Sequence, residues 1–150
     1  MKSVYNQTDT AEIISRINKL TPEAKPLWGK MSVDQMLAHL NVAYEMAFED
    51  NHPKPGAFKR FLLKTFVKDT VVNDKPYKRS SQTAPEFLIK DSKNFDLEKQ
   101  RLIAYINKTQ QLGKPHFEGK PSHSFGELTS SEWNNMFYKH LDHHLSQFGV

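Results

Sequence analysis

Apolar residues recur at the spacing of one helical face along residues 33–48. They stand at positions 33, 36, 37, 40, 43, 44 and 47, which follows the i, i+3, i+4 rule for an amphipathic helix. Ser32 stands just before this segment and Gln35 is its third residue. The two have the spacing of a capping box, in which each side chain accepts the other residue's backbone N–H. The pattern predicts a helix from about Val33 to Phe48.

Two further segments combine helical periodicity with end signals. The first opens at the pair Asp9 and Glu12 and stops before Thr21, which a proline follows. The second opens at Asp96 and runs to about Gln111, with a glycine at position 113 and a proline at position 115 as stop signals. Their inward positions are predicted to be Ile13, Ile14, Ile17 and Leu20 in the first and Leu97, Leu102, Ile103 and Ile106 in the second.

The last long helix is predicted from about Ser130 to Phe148, because Thr129 and Glu132 again have capping-box spacing and a glycine ends the segment. A shorter helix is predicted where Phe58, Phe61, Leu62 and Phe66 form one face. Residues 71–94 lack clear periodicity and contain two prolines, so they predict an extended, irregular connection.

Four longer amphipathic helices without a strand pattern predict an all-α fold. We expect a four-helix bundle with an additional short helix and a long irregular connection. The chain has 150 residues, the size of one ordinary domain, so a single domain over residues 1–150 is expected.

The amino-acid composition limits the kinds of functional site more than it limits the fold. The apolar runs are only a few residues long, and the amino terminus has no signal-peptide pattern, so we expect a cytoplasmic protein without a membrane partner. There is no cysteine, which excludes disulfides, Cys-zinc sites, iron–sulfur clusters and a cysteine nucleophile. Any metal ion must therefore be held by His, Asp or Glu.

Basic charge is concentrated in residues 54–79, which hold eight basic and two acidic residues. Such a run is usually a solvated helix face and loop. The alternative is a surface for an anionic partner. No nucleic-acid motif or aromatic and basic stacking strip accompanies it, so nucleic acid is not an expected partner.

The last helix carries two histidines on its inward face. His140 and His144 lie within about 60° of Trp133 when each residue turns the helix by 100°. Residues i and i+4 stand one above the other, so both imidazoles can bind one divalent ion. His39, at the edge of the apolar face of the second helix, can supply a third nitrogen. The alternative is that these are core histidines satisfied by hydrogen bonds.

The other polar residues of interest are placed outside this cluster. Lys139 and Asp142 are predicted to point toward solvent from the last helix. His52, His116 and His123 lie in stretches rich in proline and glycine and are interpreted as surface residues.

Three segments together resemble the DinB-like superfamily, in its short branch of domains of unknown function. They are Trp28-Gly29-Lys30-Met31-Ser32, Gln35-Met36-Leu37-Ala38-His39-Leu40, and the final stretch from Tyr138 to Gly149 with its two spaced histidines and Gln-Phe-Gly. The resemblance covers essentially the whole chain in element order. Residues 121–126 are similar to a His-Pro-Phe-Phe-Gly stretch of that family, but Ser124 replaces the proline.

The resemblance implies a four-helix bundle, commonly dimeric, with a divalent metal held by His39, His140 and His144. Some DinB-like proteins are metal-dependent transferases that add a low-molecular-weight thiol to an electrophile. The ten phenylalanines and two tryptophans also favour a homodimer, because part of this apolar surface can be buried between subunits.

We therefore expect a metal-dependent enzyme that acts on a small-molecule substrate, with thiol S-transferase activity on small electrophiles favoured. A His-bound Zn²⁺ or Ni²⁺ lowers the pKa of a coordinated thiol and needs little else. Metal-dependent hydrolysis is the first alternative, although neither Glu45 nor Glu49 falls beside His39 to act as a base. The second is a non-catalytic module that binds an anionic partner through residues 54–79.

Overall fold

The computed structural model describes residues 1–150, and most of them are helical. Helix α2 has the bounds that its apolar periodicity predicts, and both predicted capping boxes are present, at Ser32 and at Thr129. The elements are α1 (Gln7–Asn18), α2 (Val33–Phe48), α3 (Ala57–Phe66), α4 (Lys68–Val72), a 3₁₀ turn (Pro85–Phe87), α5 (Phe95–Phe117), β1 (Pro121–Ser122), β2 (Gly126–Glu127) and α6 (Ser130–Gln147).

Helix starts differ from the prediction where an asparagine stands nearby. Asn6 rather than Asp9 caps α1, because its side-chain oxygen accepts the backbone N–H groups of Thr8 and Asp9. Asn94 caps α5 in the same way and replaces Asp96 in that role. Asparagine is an equally strong N-cap, and here it lies where the backbone is still extended.

The interval between α5 and α6 also holds more regular structure than predicted. Helical backbone resumes beyond Gly113, which has φ 66° and ψ −179°, and continues to Phe117. The left-handed φ suits glycine, so the chain kinks there instead of ending its helix. Strands β1 and β2 then form an antiparallel hairpin with Ser122 opposite Gly126. The protein is therefore mostly helical with one very small sheet.

Aromatic side chains fill the centre of the core. Helix α2 packs along α5, and α1 contacts both α5 and α6. The Tyr44 ring on α2 stacks on Phe137 of α6 at 4.5 Å and on Tyr105 of α5 at 5.6 Å between centroids. Trp133 and Phe117 pack beside them, 5.5 Å apart. Stacked rings of this kind stabilise a core beyond the area they bury.

A buried polar group fixes α2 against α5 away from the histidines. The Asn41 amide donates to Glu98 Oε2 at 2.8 Å. Arg101 donates to the same Glu98 oxygen at 2.9 Å and also pairs with Glu45. Glu45 is therefore held by Arg101 of α5.

The connection between α3 and α5 covers one face of α6. The sequence predicted that this face is exposed to solvent. Helix α4 packs on α6, and Lys139 is only 4% exposed. Its Nζ donates to the Thr70 carbonyl at 2.8 Å and to Asn73 Oδ1 at 3.0 Å. The prediction that Lys139 points to solvent was therefore wrong, because periodicity within α6 cannot reveal a distant segment lying over it.

Several apolar side chains remain uncovered. Helix α3 has no buried residue, and Phe58, Phe61 and Phe66 are 76%, 62% and 74% exposed. Leu97, predicted to face inward, is 53% exposed. No helix combines the length and the mean hydropathy that crossing a bilayer requires.

Candidate metal centre

The structure brings the three predicted histidines together. One ring nitrogen from each of His39, His140 and His144 lies within 4.8 Å of the other two. Nε2 of His39 and Nε2 of His140 are 2.8 Å apart. His39 comes from α2 and the other two from successive turns of α6, so two rigid helices set the arrangement.

Hydrogen bonds at the outer nitrogens fix the orientation of two of these rings. Nδ1 of His39 donates to the Phe87 carbonyl at 2.9 Å. Nδ1 of His144 donates to Gln147 Oε1 at 2.8 Å, and the Gln147 amide is oriented because its nitrogen donates to the Trp28 carbonyl at 2.7 Å. Nε2 of His39 and Nε2 of His144 are therefore unprotonated, and the lone pair of His39 Nε2 faces Nε2 of His140.

Burial keeps these imidazoles neutral. It lowers the pKa of His144 to about 3, with the neighbouring His39 acting in the same direction and the bond to Gln147 opposing. The pKa of His140 falls well below 6.5, first through burial and then through His39 and His144. Burial also lowers the pKa of His39, against the hydrogen bond to Phe87. At neutral pH all three present unprotonated nitrogen.

The donor set fits a divalent ion. Neutral imidazoles are common ligands of Zn, Ni, Cu and Fe. Metal-binding histidines typically donate their second ring nitrogen to a carbonyl or carboxylate, as His39 and His144 do here through Phe87 and Gln147. Three protein ligands leave coordination positions open for water or substrate, as in catalytic sites.

A mainly apolar cavity of about 280 Å³, here called the histidine cavity, adjoins this centre. Glu86 is the one carboxylate on its wall. Glu86 pairs with Lys59, and the hydrogen bond from that lysine lowers the pKa of Glu86. A carboxylate so engaged is a weak base. The apolar wall is formed mainly by Ala43, Met46, Leu63, Val67, Val71, Phe125 and Met136.

His123 lies on the wall of the histidine cavity and is 9% exposed, so its interpretation as a surface residue was wrong. Its Nε2 donates to the Pro53 carbonyl at 3.1 Å, and its Nδ1 lies 2.9 Å from the Ser124 hydroxyl. These bonds connect the hairpin to the loop after α2. His52 is half-buried beside Glu45, and only His116 is exposed as predicted.

Part of the basic stretch forms contacts within the chain. Lys68 pairs with Glu132 at 2.8 Å, and Lys59 pairs with Glu86. The guanidinium of Arg79 lies 4.5 Å above the ring of Trp28. These contacts give Lys59, Lys68 and Arg79 a structural role.

Two partners of the histidines were not identified from the sequence. Gln147 lies in the Gln-Phe-Gly motif and three residues after His144, a helical spacing that could have indicated contact. The Phe87 carbonyl carries no side-chain signal, since any residue supplies a carbonyl. Glu86 was missed with it, because both belong to the connection without periodicity.

Comparison with known proteins gives one assignment. No curated protein and no solved structure matches this chain. A family model described as "Protein of unknown function (DUF1569)" matches residues 2–149. Since the match spans nearly all of the chain, including α2, α6 and the three histidines, the chain belongs to the DUF1569 family.

Proposed function

We propose that the protein is a metal-dependent enzyme that adds a small thiol to an electrophile, with His39, His140 and His144 holding a divalent ion. The observation that carries the proposal is the convergence of three neutral imidazoles at the edge of an apolar cavity. The resemblance to the DinB-like superfamily supports the same ligands. When bound, a divalent ion of this kind lowers the pKa of a thiol and supplies thiolate at neutral pH.

The residues of the chain have defined roles in this proposal. Phe87 and Gln147 orient two of the imidazoles through their Nδ1 atoms. The apolar wall around Met46 and Met136 binds the electrophile and excludes water. The new bond joins sulfur to the electrophilic carbon, the bond from that carbon to the leaving group breaks and the leaving group takes its electron pair, and the thiol proton is released to solvent.

Thiol transfer is favoured over hydrolysis because the wall of the histidine cavity offers no free carboxylate base. Glu86, the one carboxylate there, is held by Lys59 and has a lowered pKa. Hydrolysis usually requires a base that accepts a proton from water, whereas a thiol ionises more readily. Metal-dependent hydrolysis stays the second candidate.

The test compares thiol-dependent with thiol-independent turnover. Protein made without a His tag is loaded with Zn²⁺, Ni²⁺ or Mn²⁺ and assayed with small thiols and generic electrophiles, alongside ester and amide substrates. We expect thiol-dependent product from the loaded protein, its loss in His140→Ala, and its retention in His116→Ala, which alters an exposed histidine. Turnover unchanged in His140→Ala would contradict the proposal. Hydrolysis without thiol would favour the second candidate.

A further inference from the structure

A second cavity lies on the other side of His143 from the metal centre. It has a volume of about 430 Å³ and is here called the Trp28 cavity. Tyr77 and His143 line both this cavity and the histidine cavity. The ring of His143 is 5.0 Å from the ring of His144. The two cavities therefore meet at Tyr77 and His143.

A buried ammonium group lines the Trp28 cavity. Lys139 is 4% exposed and forms no salt bridge, and Asp69 and Asp74 act on its charge only from a longer distance. Two of its three N–H groups are used by Thr70 and Asn73, and Nζ lies 4.6 Å from the ring of Tyr77. A buried ammonium group without a directly contacting carboxylate is costly. An anion in the cavity would supply that direct contact.

A second cation on the wall also lacks an acidic partner. Arg79 stacks on Trp28 and forms no salt bridge, so its N–H groups are free to bind an anion. Two carboxylates share the wall. Asp142 is taken by Arg16 at 2.7 Å, whereas Asp74 and Arg79 are both exposed to solvent. Arg79 and Lys139 are therefore the cations on this wall that form no ion pair.

The indole N–H of Trp28 adds an independent observation. It is buried and has no hydrogen-bond partner. Buried donors in folded proteins are nearly always paired. The other tryptophan follows that rule, since Trp133 donates to the Lys120 carbonyl at 3.2 Å.

We propose that the Trp28 cavity binds the carboxylate group of an anionic thiol substrate, with Arg79 and Lys139 as the cations that recognise it. The identification of the ligand as the thiol rests on the proposed function, whereas the anion site itself does not. The thiol end extends past Tyr77 and His143 toward the metal centre. A carboxylate-bearing thiol is thereby preferred over a neutral one.

The anion site is tested in the metal-free protein with two probes of similar size, 3-mercaptopropionate and 3-mercapto-1-propanol. The two indole N–H signals are followed by ¹H–¹⁵N NMR and assigned with Trp28→Phe. We expect 3-mercaptopropionate to shift the Trp28 signal saturably and to leave Trp133 unchanged, with affinity at least fivefold weaker in Arg79→Gln. Arg60→Gln, on the exposed surface of α3, should bind as the wild type does. Equal shifts with both probes, or unchanged binding in Arg79→Gln, would overturn the site.

The connection to the metal centre is tested with the Co²⁺-loaded protein, in which a thiolate ligand gives a near-ultraviolet charge-transfer band. We expect half-saturation at a lower concentration of 3-mercaptopropionate than of 3-mercapto-1-propanol, and loss of this preference in Arg79→Gln. A band with equal half-saturation and no Trp28 shift overturns the inference and leaves the proposed function. A Trp28 shift with no band for either thiol overturns the proposed function and leaves the anion site.

Discussion

Gln147 Oε1 lies 2.8 Å from His144 Nδ1 while the Gln147 amide nitrogen donates to the Trp28 carbonyl at 2.7 Å. One side chain thus fixes the tautomer of a proposed metal ligand and joins the end of α6 to the loop before α2. Gln147 is 4% exposed, so both hydrogen bonds are shielded from bulk solvent.

Gln147→Leu is expected to weaken metal binding about 10- to 100-fold, as loss of such outer hydrogen bonds does in other metal sites. Gln147→Glu keeps an oxygen facing His144 and should retain most of the affinity. Zinc affinity measured by competition with a chelator checks both variants. Equal loss in the two would mean that the bond to Trp28, and not the one to His144, is what matters.

The proposed metal site predicts one divalent ion per chain. His39→Ala and His144→Ala are each expected to abolish stoichiometric binding, because two imidazoles leave too few ligands. Elemental analysis and calorimetry of untagged protein measure the stoichiometry. His116→Ala is the matched control, and a loss of binding in that variant would contradict the assignment.

The hydrogen bonds of Asp34 predict that the free energy of unfolding falls at acidic pH. Partial burial opposes its ionisation, but hydrogen bonds from the Lys93 backbone, at 2.7 Å, and from Ser32 hold the pKa of Asp34 below 3.8. The stabilisation is therefore complete above pH 3.8 and is lost as the pH falls through the lower folded-state pKa. Asp34→Asn should cost about 1 kcal/mol near neutral pH, a discounted value because the carboxyl is only partly buried.

Denaturant unfolding of wild type and Asp34→Asn at several pH values measures this contribution. The difference in the free energy of unfolding should shrink as the pH falls below 3.8. Asp91→Asn alters an exposed loop carboxylate and is the control. A difference that stays constant down to the most acidic pH would show that Asp34 does not act through its charge.

The aromatic core predicts a large cost for truncating Phe137. It is 1% exposed and stacks on Tyr44 at 4.5 Å. Phe137→Ala should lower the free energy of unfolding by about 3–5 kcal/mol, through lost burial and the cavity left behind. Leu88→Ala, at a position 52% exposed, should change it by less than about 0.5 kcal/mol. Chemical denaturation of both variants provides the comparison.

We also propose that the homodimer predicted from the sequence forms through the exposed aromatic face of α3. Phe61 and Phe66 are 62% and 74% exposed on that helix. Burying such side chains is the main source of association energy. Light scattering should give twice the chain mass of 17.4 kDa, and the double variant Phe61→Ser, Phe66→Ser should give the single-chain mass. A wild-type mass of one chain at micromolar concentration would contradict the dimer.

Local signals account for what the sequence predicted well. The capping boxes at Ser32 and Thr129 involve residues three apart, so the chain carries the whole interaction within one turn. The orientation of His140 toward the core, and of His39 beside it, also follows from local helical phase. That the two side chains meet depends on the packing of α2 against α6.

Long-range coverage explains what the sequence did not predict. Lys139 and His123 are buried by segments far from them in sequence, the first by Thr70 and Asn73 and the second by Pro53. The connection from α3 to α5 has little periodicity, and its placement depends on contacts such as Lys59 with Glu86. Hydrophobic pattern alone cannot assign a position to such a segment.

The placement of residues 77–87 has a consequence for how this fold can diversify. The three imidazoles stand on α2 and α6, whereas this segment contributes Tyr77, Glu86 and Phe87 to the histidine cavity and Arg79 to the Trp28 cavity. Because it contains no fully buried side chain, its side chains can change at small cost in folding energy. The lining of both cavities can therefore evolve through this one stretch while the three histidines on α2 and α6 are inherited unchanged.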